Sequence, residues 1–155
     1  MKTLSRKARY ALRALYALAA HPGDGPVLIA DLAERERIPR KFLEAILLEL
    51  KNAGVLQSKK GKGGGYALAK APEQITVGQV IRVIDGPLAP LPCVSEKAYV
   101  RCEECVDEAT CGTRMVMKQV RDAMVAILDR TTLADVQEQS ARARTQAAAA
   151  VAYSI

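Results

Sequence analysis

Residues 28–68 of this chain follow an order that few folds can satisfy: two short helical patterns, a glycine, then two short apolar runs around a basic glycine-rich tip. From Pro39 to Ala53, Leu43, Ile46, Leu47 and Leu50 fall on one face at a 3.6-residue period, while Arg40, Lys41 and Glu44 point elsewhere. Gly54 is placed to end that helix in the left-handed conformation that glycine adopts without a Cβ penalty. Residues 55–58 and 65–68 read as strands, and the tip between them, residues 59–64, holds three lysines and three glycines. A helix shaped for a groove followed by a flexible cationic hairpin for phosphates is what a winged helix-turn-helix requires.

The charge is distributed to match. The formal net charge is +6, but residues 1–70 carry 14 Lys and Arg against 6 Asp and Glu, whereas residues 71–155 carry 9 against 11. The basic half therefore coincides with the helix-and-hairpin segment, as an electrostatic footprint for nucleic acid should. One Phe, five Tyr and no Trp leave little with which to stack unpaired bases, so duplex DNA is favoured over RNA or single strands. No run of eighteen apolar residues and no leader-type pattern occurs, which predicts a soluble cytoplasmic protein without a membrane partner.

Upstream, Ser5 suits the N-cap of a first helix reaching about Ala20, with Tyr10, Leu12, Leu15, Tyr16 and Ala19 available to the core and Pro22 and Gly23 closing it. His21, the only histidine, falls at that helix's C-terminal end, where a polar or cationic side chain meets exposed carbonyls; this reading outweighs a ligand role. The second helix, about residues 28–37, is expected to bury Leu28, Leu32 and Ala33. Pro39 fits the first turn of the third. Thr76 and Gln79 have the form of a capping box opening a helix to about Asp85 with Val77, Val80, Ile81 and Ile84 apolar. The proline-rich residues 86–92 cannot continue it and form a linker.

From Gly112 to Asp129 a long helix repeats Val116, Val120, Ala123 and Ile127 at spacings of four, three and four. So apolar a helix, far from the front core, calls for a partner, and a symmetric homodimer would present two reading helices to a two-fold site. A last helix starts near Thr132, and the alanine-rich tail from Ala141 has little to bury and is expected to fray. The fold class is thus mostly α with a small β-wing: a DNA-binding domain at 1–85, a linker and cysteine loop at 86–111, dimerisation helices at 112–140 and a tail at 141–155.

All four cysteines, Cys93, Cys102, Cys105 and Cys111, lie within nineteen residues in the pattern C-x8-C-x2-C-x5-C. Soft thiolates suit a tetrahedral zinc or the irons of a cluster; a zinc ribbon usually shows two CxxC knuckles, so the single one here weakens the zinc reading without excluding it. Glu96, Glu103, Glu104, Asp107 and Glu108 in the same loop are expected to raise the thiol pKa values, except at Cys111, where the start of the long helix favours a thiolate. No βαβ context supports a thioredoxin-type dithiol, and no nucleophile with a base is evident, so an enzyme is not expected.

The segments LSRKARYALRALYALA, IPRKFLEAILLELKNAGVLQSKKGKGGGYAL and ITVGQVIRVIDG, followed by a cysteine loop and a long helix, resemble the Rrf-two type family of winged-helix regulators that includes IscR and NsrR. The resemblance spans residues 2 to about 135. It implies a homodimer with crossed long helices, a palindromic operator in double-stranded DNA and, in many members, an iron–sulfur cluster that tunes DNA affinity. By position, it puts Pro39, Arg40, Lys41, Phe42 and Glu44 in the major groove, with Glu44 accepting from a cytosine amino group. Lys59, Lys60, Lys62 and Gly63 form the wing. Pro39 and Phe42 depart from the Ser or Thr and the Tyr common in relatives, which shifts the operator preference.

Where relatives add a histidine or a partner's carboxylate to three cysteines, this chain offers Ala8 and Arg9 in the first helix and a fourth cysteine in the loop. A 2Fe–2S or 4Fe–4S cluster on Cys93, Cys102, Cys105 and Cys111 is therefore expected in a repressor sensing redox state, nitric oxide or iron–sulfur status. The alternatives are a zinc or thiol–disulfide switch on the same cysteines, or a ligand-free regulator controlled by a partner protein.

Overall fold

Ser5 begins the fold with two tasks. In the computed structural model, which describes residues 4–21, 23 and 25–152, its hydroxyl oxygen accepts from the Ala8 amide at 3.0 Å and caps α1 (Arg6–Ala19). Its own amide donates to Asp85 Oδ2 at 3.0 Å and its hydroxyl donates to Asp85 Oδ1, tying the start of α1 to the end of α4 (Val77–Asp85). Ala8, Ala11 and Ala14 are wholly buried along α1, and side chains this small let neighbouring helices approach closely. Pro22, expected to help close α1, lies outside the described residues.

α2 (Ile29–Glu36) and α3 (Arg40–Asn52) form the helix-turn-helix. Arg37 takes a left-handed φ of 51°, and the Ile38 amide closes on the Ala33 carbonyl at 2.9 Å, swinging buried Ile38 into the core. Pro39 is the N-cap of α3 instead of its first helical residue, and lends its carbonyl to the Leu43 amide at 2.9 Å. Leu28 is 51% exposed, contrary to its expected core position, because it is the extended cap of α2 and lies outside the buried Leu32–Ala33 face. The predicted α3 face, Leu43, Ile46, Leu47 and Leu50, is fully buried. Gly54 then turns the chain at φ +75°.

The first strand starts one residue later than expected, because the Val55 amide still bonds the Leu50 carbonyl at 2.9 Å. β1 (Leu56–Lys59) pairs antiparallel with β2 (Gly65–Leu68), Leu56 opposite Leu68 and Lys59 opposite Gly65. A contribution not evident in the sequence comes from Val27, which exchanges hydrogen bonds of 2.8 and 2.9 Å with Tyr66 as a one-residue third strand. Gly65 makes that approach possible: with φ +141°, a Cβ there would lie 2.2 Å from the Val27 carbonyl oxygen.

After a 3-10 turn at Pro72–Gln74, Thr76 caps α4 by accepting from the Gln79 amide at 3.1 Å, which forms half of the expected capping box. The linker leads through a second 3-10 turn, Pro92–Val94, and an irregular loop to α5 (Gly112–Leu128) and α6 (Leu133–Ala152). The chain then returns to the winged-helix body. Val77 N donates to Thr131 O and Leu133 N to Ile75 O, both at 2.9 Å, and Ile75 and Leu133 are wholly buried. α6 therefore packs on α1 at its start and continues helical through Ala152. Residues 153–155 of the tail lie outside the described residues. Among the described residues no helix is long and apolar enough to cross a membrane.

Candidate functional site

The exposed face of α3 carries Arg40, Lys41, Phe42 and Glu44 as the helical period requires. Three of these are already engaged. Arg40 Nε lies 3.2 Å from Glu44 Oε1, an i,i+4 pair that holds the expected base reader along the helix. Phe42 is 38% exposed and meets the Tyr10 ring edge-to-face, with centroids 5.7 Å apart and planes at 82°, so part of its surface serves packing between α1 and α3. Arg13 lies over the other partner, 5.8 Å from the Tyr10 centroid. Glu49, an acidic residue on the same helix, is paired with Lys7.

At the wing, Gly61 and Gly63 take φ of +88° and +73°, and the Gly64 amide bonds the Gly61 carbonyl at 2.9 Å. A Cβ on Gly64 would come 2.4 Å from the Lys59 carbonyl oxygen, so the tip is glycine-rich by geometric need. Lys59, Lys60 and Lys62 are exposed. Between this hairpin and the starts of α2 and α3 lies a cleft of about 390 Å³ lined by Arg40, Lys51, Lys59 and Lys60 and by no carboxylate. Lys51 was not singled out from the sequence, where it reads as an ordinary basic residue in the last turn of a helix. Four cations around one open cleft suit the phosphates of a DNA backbone.

The cysteine loop is arranged around Cys93. That thiol is buried, Cys102 is exposed, and Cys105 and Cys111 are intermediate. Burial raises the Cys93 pKa first, with the adjacent Cys102 thiol adding to the effect and Arg114 opposing it. Three of the five acidic residues expected to do this are committed elsewhere: Glu108 accepts from the Tyr99 hydroxyl at 2.6 Å, Asp107 from the Thr110 hydroxyl at 2.8 Å, and Glu96 sits 3.3 Å from Arg121. Cys105 closes a tight turn on Cys102, its amide 3.1 Å from the Cys102 carbonyl. Cys111 is the N-cap of α5, its sulfur accepting from the Arg114 amide at 3.5 Å.

Two arginines one heptad apart on α5 fasten this loop. Arg114 Nε donates to the Cys93 carbonyl at 3.3 Å, and Arg121 Nη1 donates to the Val94 carbonyl at 2.8 Å. Arg121 is 9% exposed and also pairs with Asp122. The sequence carries no signal for this, since an arginine between Val120 and Asp122 looks solvated. A guanidinium taken from water is tolerated only when paired and hydrogen-bonded, as here.

Four thiols in one loop are a donor set that fits a soft metal or cluster. The structure brings Cys93 and Cys102 together; among the described residues no three ligand-type side chains form a group that could hold a metal ion. The expected dimer row on α5 faces outward: Val116 and Ile127 are 54% and 63% exposed, and Ala123 is exposed. Val120 is half-buried and lines an apolar cleft of about 220 Å³ with Leu4, Ile81, Leu88, Met124 and Leu128.

Comparison with known proteins agrees with this architecture. The family model for Rrf2, described as an iron-dependent transcriptional regulator, matches residues 4–139. An rrf2-like helix-turn-helix transcriptional regulator of Rhodobacter capsulatus is 43% identical over 136 residues, covering 86% of this chain and 91% of that protein. Among solved structures, CymR, the global cysteine regulator of B. subtilis, superposes with a TM-score of 0.74 at 34% identity, over 90% of this chain and 98% of CymR. IscR of T. potens does so with a TM-score of 0.70 at 31% identity, over 90% and 88%. The helix-turn-helix, the wing, the cysteine loop and the long helix together place this chain in the Rrf2 family of DNA-binding transcriptional regulators.

Proposed function

We propose that this regulator acts as a homodimeric repressor in the cytoplasm, and that the state of its cysteine loop sets its affinity for a palindromic operator. α3 enters the major groove with Pro39, Arg40, Lys41 and Phe42, and Glu44 leaves Arg40 to accept from a cytosine amino group. Lys59, Lys60 and Lys62, with Gly63 at the tip, follow the adjacent backbone. The row Val116, Val120, Ala123 and Ile127 meets its counterpart in the second subunit, which covers the exposed apolar surface of α5.

An iron–sulfur cluster held by Cys93, Cys102, Cys105 and Cys111 would supply the redox-, nitric-oxide- or iron-sensitive element. The observation that carries this reading is the fastening of the Cys93 turn to α5 by Arg114 and Arg121. Drawing Cys105 and Cys111 toward Cys93 and Cys102 pulls on the N-terminal end of the helix that joins the two subunits, while Arg114 and Arg121 carry the pull into the shaft. A coupling of about 1–3 kcal/mol between loop and operator is enough for regulation. Anaerobically purified protein should be coloured, contain iron and acid-labile sulfide, and change its operator affinity when these are removed. Colourless, iron-free protein, or equal affinity in both states, contradicts the reading.

The neighbouring Cys93 and Cys102 thiols support a second reading, a thiol–disulfide or zinc switch on the same loop. The CymR relative, a global cysteine regulator, belongs beside this reading. Here Cys102→Ser would abolish an oxidant response in a protein that never carried iron.

A further inference from the structure

A cavity of about 250 Å³ opens where the end of α4, the linker, the turn after Cys93 and α5 meet, and neither the DNA face nor the cysteines use it. We propose that this cavity binds a small organic carboxylate, and that it is an effector site separate from the cysteine loop.

The chemistry of the lining selects the class. Arg82, Lys97 and Arg121 line it with Glu96 as the only carboxylate, although residues 71–155 as a whole are acidic, with 11 Asp and Glu against 9 Lys and Arg. Glu96 is 70% exposed and already sits beside Arg121, so it offers little to a cationic ligand. The uncommitted groups are donors. Ser95 is buried and its Oγ accepts from the Ala98 amide at 3.0 Å, which leaves its hydroxyl hydrogen with no acceptor among the described residues. Arg82 spends one N–H from each terminal nitrogen on Asp129, at 2.6 and 2.8 Å, and retains others. Lys97 contributes a flexible ammonium.

Preorganisation favours binding as well. Asp129 fixes the Arg82 guanidinium, and Asp122 with Val94 O fixes that of Arg121, so two of the three cations need little ordering on ligand entry. Pro87, Leu88 and Val125 give an apolar wall. A carboxylate on the donors with a short aliphatic body against that wall satisfies both sides, and the space corresponds to roughly eight heavy atoms at the ~30 Å³ that a water molecule takes up in the liquid.

The position gives the site a consequence. Arg82 joins α4 to the end of α5, and Arg121 joins α5 to the cysteine turn. An occupant at that junction bears on the same relation between the DNA-binding body and α5 that the cysteine loop is proposed to control.

The test uses this 155-residue chain without DNA or metal, so its outcome is independent of the cysteine reading. Butyrate and succinate are titrated while backbone amide resonances are followed, with n-butylammonium and chloride as controls. We expect saturable shifts confined to Leu88, Ser95, Lys97 and Val125 with the carboxylates only, and an affinity about tenfold weaker in Ser95→Ala/Lys97→Ala. Val125→Phe, which fills the wall without touching a donor, should also weaken binding of both carboxylates. Absence of saturable shifts, shifts centred elsewhere, or unchanged affinity in both variants overturns the proposal.

Discussion

Arg121 Nη1 donates to the carbonyl oxygen of Val94 at 2.8 Å, so a buried cation of the long helix holds the residue next to Cys93. The bond fixes a turn whose thiol is shielded from solvent. Arg121→Met keeps much of the side-chain volume and removes every donor, so the turn loosens. We expect the Cys93 thiol to react at least about tenfold faster with an aromatic disulfide reagent, and folding stability to fall by ~1–3 kcal/mol from the orphaned carbonyl. Arg121→Lys should lie between the two. Unchanged Cys93 labelling kinetics would contradict this role.

Arg82 and Asp129 form a bidentate pair, and the hydrogen bond from Arg82 holds the Asp129 carboxyl below its ordinary value of 3.8. A depressed folded-state pKa contributes stability that is present above the unfolded value and is lost as pH falls through the folded one. Urea unfolding followed from neutral pH to below the ordinary carboxylate range should show a steeper acid loss in the wild type than in Asp129→Asn. The difference should be small, since Arg82 and Asp129 are 30% and 39% exposed.

Gly65 and Gly61 both have positive φ, but only Gly65 is crowded, with the Val27 carbonyl oxygen 2.2 Å from where its Cβ would be; nothing lies within 4 Å at Gly61. Gly61→Ala should therefore cost about 1 kcal/mol. Gly65→Ala should cost more, about 2–3 kcal/mol, because it adds separation of Val27 from the sheet to the backbone strain. Denaturant melts of the two variants make the comparison directly.

Lys60 and Lys62 stand at the tip of the wing, exposed and without a carboxylate in the adjoining cleft. Replacing both by alanine should weaken operator binding and lower the slope of log affinity against log salt by about 0.9 for each phosphate that is no longer neutralised. A slope identical to that of the wild type would remove the wing from the DNA interface.

Val116 and Ile127 are more than half exposed at the two ends of the α5 row. Ile127→Glu should leave the fold of the single chain nearly unchanged, within ~0.5 kcal/mol, because little is buried there. Sedimentation should nevertheless show a shift toward monomer if this row forms the subunit interface.

The sequence was most legible where local chemistry and burial agree. The α3 core face, the left-handed Gly54 and the Ser5 and Thr76 caps follow from side-chain type and spacing within a few residues. Less legible were features created by distant contacts. Val27 reads as loop until Tyr66 pairs with it, Leu28 reads as core until its cap position turns it outward, and Arg121 reads as solvated until Val94 arrives. The acidic residues of the cysteine loop illustrate the same limit: their number was evident, but the commitments of Glu108, Asp107 and Glu96 to Tyr99, Thr110 and Arg121 depend on the folded chain.

α5 is a seventeen-residue rod, about 25 Å long at 1.5 Å per residue, moored at both ends. Its beginning is tied to the Cys93 turn through Arg114, and just beyond its end Asp129 meets Arg82 and Thr131 meets Val77 on the DNA-binding body. In the proposed switch, a beam held this way would tilt about the far mooring instead of sliding along its axis. Gly78 is part of that bearing, since a Cβ there would lie 2.2 Å from Asp129 Oδ1. In the switch proposed above, small displacements at the cysteines would thus arrive at α4 as rotation.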